Sequence, residues 1–120
     1  MTKILVVDDE VEIVDFLVNF LKRFNLSCEK ANNGKKALEI FARIKPSWVF
    51  LDIKMPDMDG LEVLEKIRKM DKKVKIIMIT GRDDKGSQAK AKSLGVVDYI
   101  VKPIDLEELH TKIHKYILKK

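Results

Sequence analysis

Four apolar runs of this chain end in residues that could share one piece of chemistry. Asp8 and Asp9 follow Lys3-Ile4-Leu5-Val6-Val7, and Asp52 follows Trp48-Val49-Phe50-Leu51. Thr80 closes Ile76-Ile77-Met78-Ile79, and Lys102 follows Val96–Val101. Three carboxylates brought close together repel, and at least one keeps its proton above the ordinary range unless a cation compensates. A hard divalent ion with oxygen ligands resolves this. Mg2+, or Mn2+ in its place, suits a site with few protein carboxylates because it keeps several waters. A bare ion site has no use for a hydroxyl and an ammonium. A phosphoryl group in transfer does, because its charged oxygens are stabilised by metal, ammonium and hydroxyl together. One carboxylate could then be the nucleophile, forming an aspartyl phosphate.

These residues can meet only if the runs are neighbouring strands. Between them lie longer stretches of helical period. Ile13, Val14, Leu17, Phe20, Leu21 and Phe24 share one face, and Ala37, Leu38, Phe41 and Ala42 another, which Pro46 ends. Asn33-Gly34 is a turn signal, and a weak strand is expected near Ser27–Lys30. Gly60 precedes a helix carrying Leu61, Val63, Leu64 and Ile67. Residues 84–94 make a poor helix, with only Ala89, Ala91 and Leu94 apolar. A last helix starts at the N-cap candidate Asp105 and is predicted to bury Leu106, Leu109, Ile113, Tyr116 and Ile117. The pattern is βα repeated five times. Near-continuous apolar strands imply burial on both faces, hence an α/β fold with a parallel sheet between helical layers. Right-handed crossovers favour a doubly wound sheet, and a closed barrel would need about twice the residues. In such a sheet, ligands sit beyond the carboxyl ends of the strands, where all five candidate residues fall.

Composition narrows the classes. The 120 residues suit one domain, and 46% hydrophobic with 36% charged residues describes a folded, soluble chain. The net charge of +5 is spread out, with no basic block interleaved with aromatics, so nucleic-acid binding is not expected. Cys28 is the single cysteine, and it is expected in the core. No intramolecular disulfide is possible, which fits a reducing compartment. Neither a signal peptide nor a membrane span is apparent. The expectation is a cytoplasmic protein without membrane insertion.

At "ILVVDDE", "FLDIKMPDMDG", "IIMITG" and "DYIVKP" the sequence resembles the receiver domain of two-component response regulators. The pieces run in order from the first strand to the last helix, so the resemblance covers residues 1–120. It implies a flavodoxin-like (βα)5 three-layer sandwich with strand order 2-1-3-4-5. It implies a phosphoryl group taken from a histidine kinase, a histidine phosphotransfer protein or a small phosphodonor onto Asp52. Asp9, Asp52 and the backbone carbonyl of Lys54 would ligate Mg2+, with Asp8 acting through metal-bound water. Lys102 would pair with Asp52 and then with the phosphoryl oxygens. Thr80 would bond the phosphoryl group and shift, and Tyr99 would turn inward with it. Lys102-Pro103 would be a cis peptide. Lys54 and Arg82, each two residues beyond a site residue, would tune phosphate lifetime, and Gly81 would leave access. Val96 stands where alanine is usual. The residue 84–117 surface would signal to a downstream protein. The chain would be a monomer, with dimerisation on phosphorylation as the variant case. Apart from self-phosphorylation and self-dephosphorylation it would not be an enzyme. It would act as a single-domain regulator or phosphorelay intermediate; the alternative is a receiver cut from a multidomain regulator or hybrid kinase.

Other readings of the same residues are weaker. Asp8-Asp9 alone could cap a helix. Asp57 and Asp59 resemble a calcium loop, but Met55 and Lys66 stand where ligands are needed, so turn formation and capping of the helix at Leu61 are expected. His110 and His114, four apart with Glu107 one turn before, have metal-binding spacing; a surface or partner-facing role is the expectation. A Mg2+-dependent phosphohydrolase usually places a second acid where Lys54 stands. A pseudo-receiver would not need the complete set Asp8, Asp9, Asp52, Thr80 and Lys102.

Overall fold

The computed structural model describes residues 2–81 and 85–119. Strands β1 (Lys3–Val7), β2 (Ser27–Ala31), β3 (Trp48–Asp52), β4 (Lys75–Thr80) and β5 (Asp98–Val101) alternate with helices α1 (Val11–Lys22), α2 (Gly34–Ile44), α3 (Gly60–Met70), α4 (Lys85–Ser93) and α5 (Leu106–Lys112). All strand pairs are parallel, in the order β2-β1-β3-β4-β5. This is the doubly wound sheet expected from the alternation of runs.

Strand periodicity builds two cores from one sheet, because successive side chains point to opposite faces. Ile4, Val6, Phe50, Ile77, Ile79 and Ile100 pack with Leu17 and Leu21 of α1 and with Leu109 and Ile113. Leu5, Val7, Val49, Leu51, Ile76 and Met78 pack on the other face with Ala37 and Phe41 of α2, Val63, Leu64 and Ile67 of α3, and Ala91 of α4. The central strands β1 and β3 are buried almost end to end.

Four local expectations need correction. The last strand begins at Asp98, not Val96. Gly95 takes a left-handed φ of 79° and the Val96 amide turns back to the Ala91 carbonyl, so Val97 is the first residue bonded to β4. Leu106 is 52% exposed, because it lies beside Phe16 and Phe20 of α1 rather than under the sheet. The last helix changes to a π-helical segment over Ile113–Leu118. The wider turn lets Tyr116, Ile117 and Leu118 all pack on the core, which no single 3.6-residue stripe allows. Cys28 is half-buried at the core margin, and burial pushes its thiol up to about 11.

Candidate functional site at the strand ends

Parallel register sets Val7 beside Leu51 and Asp52 beside Ile79, so the residues ending β1, β3 and β4 share one edge of the sheet. The Asp8 amide donates to the Ala31 carbonyl (3.2 Å), prolonging the ladder by one step. The Asp8 carboxylate then accepts from the Glu10 amide at 2.9 Å. The result is a fully buried acid held in a fixed rotamer. Asp52, 4% exposed, is the last residue of β3.

The loop after Asp52 is closed from both sides. The Ile53 amide donates to the Ile79 carbonyl (3.0 Å), and the Gly60 amide donates to the Ile53 carbonyl (2.6 Å). A Cβ at position 60 would lie 2.1 Å from the Asp52 carbonyl oxygen and 2.6 Å from Ile53 Cα. The loop therefore folds this tightly only because residue 60 has no side chain. Asp59 accepts from the Leu61 amide at 2.8 Å and caps α3, as expected. Asp57 does not cap that helix. Its carboxylate reaches the amides of Gly34 (3.0 Å) and Lys35 (3.1 Å) at the start of α2. Helix N-termini offer unpaired amides, and an acid from a neighbouring loop satisfies them as well as a local one. Those bonds hold the Asp57 carboxyl below its ordinary range, the Gly34 amide contributing most.

Lys102 enters from the end of β5, its amide bonded to the Thr80 carbonyl (2.8 Å) and its bond to Pro103 cis. Its Nζ lies 3.1 Å from Asp8 Oδ2, 3.6 Å from Asp52 Oδ2 and 3.7 Å from Glu10 Oε1. Glu10 was not among the residues expected at the site. The signal for it was the third acid of Asp8-Asp9-Glu10. Burial raises the Asp52 carboxyl to about 7, the Asp8 charge adds to this, and Lys102 only partly offsets it. Asp8 is raised as well, again chiefly by burial. For Lys102, burial pulls downward, but the carboxylates of Asp52 and Asp8 prevail and hold the ammonium above its usual range. One cation thus does not neutralise the buried acids.

Asp8, Asp9 and Asp52 each present a carboxylate oxygen within 4.8 Å of the others. Asp8 Oδ2 is buried, with the Lys102 ammonium 3.1 Å away. An all-oxygen donor set of clustered acids that one lysine does not neutralise fits a hard divalent cation. The opening above it is lined by Asp9, Glu10, Asp52, Ile53, Lys54, Gly81 and Lys102. Gly81 has open space around it, leaving room for an entering group. The Lys54 side chain is exposed at the rim. Arg82 lies outside the described residues, as does position 84 of the expected signalling surface.

Thr80 is fully buried beside the acids, and its hydroxyl donates to the Gly81 carbonyl at 3.1 Å. Tyr99 does not join this cluster. Half-buried on β5, it donates its hydroxyl to the Gln88 carbonyl of α4 at 2.6 Å, and its own carbonyl accepts from Lys112. His110 and His114 approach each other on α5 and the π segment, whereas Glu107 does not complete a three-residue cluster with them.

These features agree with comparisons to known proteins. Residues 4–114 match the family model "Response regulator receiver domain". The chain is 32% identical over 115 residues to sporulation initiation phosphotransferase F of Bacillus subtilis, covering 96% of this chain and 93% of that protein. It is 36% identical over 117 residues to regulatory protein AtoC of Escherichia coli, covering 96% of this chain but 25% of that protein. Several other curated relatives are matched over about half their length. Among solved structures, a CheY-like receiver domain protein of Methanospirillum hungatei superposes with a TM-score of 0.91 at 30% identity, covering 99% and 95% of the two chains. Response regulator protein TrrA of Thermotoga maritima, solved in complex with Mg2+ and BeF, gives 0.84 at 37% identity, covering 96% and 98%. With its fold, its strand-end acids and nearly its whole length accounted for, the chain belongs to the response regulator receiver family.

Proposed function

We propose that Asp52 is the phosphoacceptor of this receiver and that its partners are a histidine kinase or a histidine phosphotransfer protein. The carrying observation is a nearly buried carboxylate at the end of a central strand, grouped with two further acids and facing a lysine. An Asp52 oxygen attacks phosphorus on the donor's phosphohistidine. The O–P bond forms as the N–P bond breaks, and the imidazole nitrogen keeps the electron pair. Asp8, Asp9, Asp52 and the Lys54 carbonyl would hold Mg2+, Asp8 through water. When bound, the ion neutralises the clustered acids and the charge on the phosphoryl oxygens. Lys102 exchanges its carboxylate partners for a phosphoryl oxygen. Thr80 gives up its bond to Gly81 and donates to another. Lys54 and Arg82 flank the group and set its lifetime.

The new phosphoryl group carries about −1.5 to −2 charges and three acceptors. Its pull on Thr80 and Lys102 passes to β5 and α4, where Tyr99 turns inward and the 84–117 surface changes toward a downstream target. This is a population shift between two packings. The chemistry is self-catalysed, with no separate substrate turned over. No helix among the described residues is long and apolar enough to cross a membrane, and we assign the protein to the cytoplasm as a monomer that phosphorylation can pair. Near-complete coverage of sporulation initiation phosphotransferase F supports a single-domain phosphorelay role for residues 1–120. The partial coverage of AtoC equally fits the receiver of a longer regulator.

Incubation with Mg2+ and acetyl phosphate or phosphoramidate tests the assignment. The expected product is an acid-stable, base-labile adduct at Asp52, absent in Asp52→Asn and without Mg2+. An adduct that persists in Asp52→Asn overturns it.

A further inference from the structure

A second constellation, sharing no residue with the strand-end site, lies where α5 passes into its π-helical segment. Nε2 of His110 and Nε2 of His114 are 3.2 Å apart, and the rings tilt by 41° with centroids at 4.3 Å. Phe24 packs edge-on against both imidazoles, at 5.7 and 5.3 Å between centroids, and Phe20 packs against His110 at 6.4 Å. The rotamers that bring the two Nε2 atoms together are therefore supported from outside α5. Among the described residues, neither ring makes another side-chain hydrogen bond.

We infer that His110 and His114 form a chelating site for a borderline first-row divalent ion such as Zn2+, Ni2+ or Cu2+. With metal–nitrogen distances of about 2.0–2.1 Å, a 3.2 Å separation closes an N–M–N angle of about 100°. That angle lies between the square-planar or octahedral and the tetrahedral values. Paired histidines four apart on one helix face are a recurrent way to present two imidazoles to one ion. Glu107 does not complete the set, so water fills the remaining positions and the site stays open. Imidazole favours these ions, but the carboxylates at the strand ends would take them as well, so the imidazole pair is tested with that site held by Mg2+ in excess.

A hydrogen bond between the two imidazoles would give the same nitrogen separation without any metal affinity, and titration separates the two. The full chain, with Mg2+ in excess to occupy the carboxylates, is titrated with ZnCl2 by calorimetry and with CuCl2 by electron paramagnetic resonance. The expected results are one Zn2+ per chain and a Cu2+ spectrum with two nitrogen donors. Affinity should fall at least about tenfold in His110→Gln and in His114→Gln, with the circular dichroism spectrum unchanged because His110 is exposed and His114 is half-buried at the edge of the core. Absence of saturable Zn2+ binding by the wild type, or unchanged binding by the His110→Gln/His114→Gln double variant, overturns the inference.

Discussion

Helices α1 and α4 lie on opposite faces of one sheet and are attached by different means. α1 buries Val14, Leu17, Val18, Phe20 and Leu21, whereas α4 buries only Ala91. A fully buried Leu or Phe side chain contributes about 1.5–3 kcal/mol, and one methyl group about 0.8. What holds α4 is polar instead. Tyr99 donates to the Gln88 carbonyl. Arg68 of α3 holds the carbonyls of Leu94 (2.7 Å) and Gly95 (3.1 Å) just past the helix end. The exposed Lys90–Glu65 pair adds little. The half of the molecule that fixes Asp8 and Asp52 is thus anchored by non-directional burial. Helix α4 is tied by a few bonds that can be exchanged one at a time. Local opening follows the same division, because elements with few buried apolar contacts open most easily.

The largest effect expected is at Gly60, at the start of α3, which packs on the same sheet face as α4 but, like α1, is held by buried apolar side chains. Gly60→Ala drives a methyl group into the backbone of Asp52 and Ile53 and should cost more than about 3 kcal/mol in urea unfolding, with Mg2+ affinity lost in parallel. A near-neutral result would mean that the loop is not held as rigidly as the comparison requires.

Next in size is a pH effect on the metal-free protein. The Asp52 carboxyl is at about 7 in the fold, above its ordinary value of 3.8. The folded state therefore binds the extra proton, and stability from this group is present below pH 4 and lost as pH rises through 7. In EDTA, wild type should lose about 2–3 kcal/mol relative to Asp52→Asn between pH 5 and 8, and Mg2+ should return most of it. A wild type that gains on the variant as pH rises would reverse the sign and refute the electrostatic account of the buried acids.

Smaller changes belong to α4. Tyr99→Phe removes one hydrogen bond and should cost about 0.5–1.5 kcal/mol. Hydrogen exchange in residues 85–93 should accelerate while α1 stays protected; equal acceleration in both helices would contradict the comparison. Smallest is Gly86→Ala. The added methyl group meets open space, so the exchange should stabilise α4 by about 0.5–1 kcal/mol and slow its exchange.

The strands and their order of chemistry were readable because buried parallel strands are continuous apolar runs, so the first polar residue after each run marks the functional edge. The weak helix at 84–94 was readable from its lack of apolar residues, and α4 is that helix. Glu10 and Asp57 were not read correctly for one shared reason. A carboxylate near a loop can serve any donor within reach, and sequence neighbours do not show which one that is. Asp57 stabilises α2 from a loop that is adjacent in space but 23 residues away in sequence, and Glu10 approaches Lys102 across the sheet edge. Leu106 fitted the helical stripe by spacing, yet the first turn of α5 overhangs α1 instead of the sheet.

By itself, the sequence determined the βα alternation, the two buried sheet faces and the five polar residues at the strand ends, because periodicity and apolar length are local properties. Only the tertiary structure decided the strand register that converges Asp8, Asp9 and Asp52, and the burial of the Asp8 carboxylate against Lys102. It also decided the backbone clearance that admits only glycine at position 60, and the 3.2 Å approach of two imidazoles against Phe24. Those are distances between parts of the chain that meet only on folding, and a sequence carries no coordinate for them.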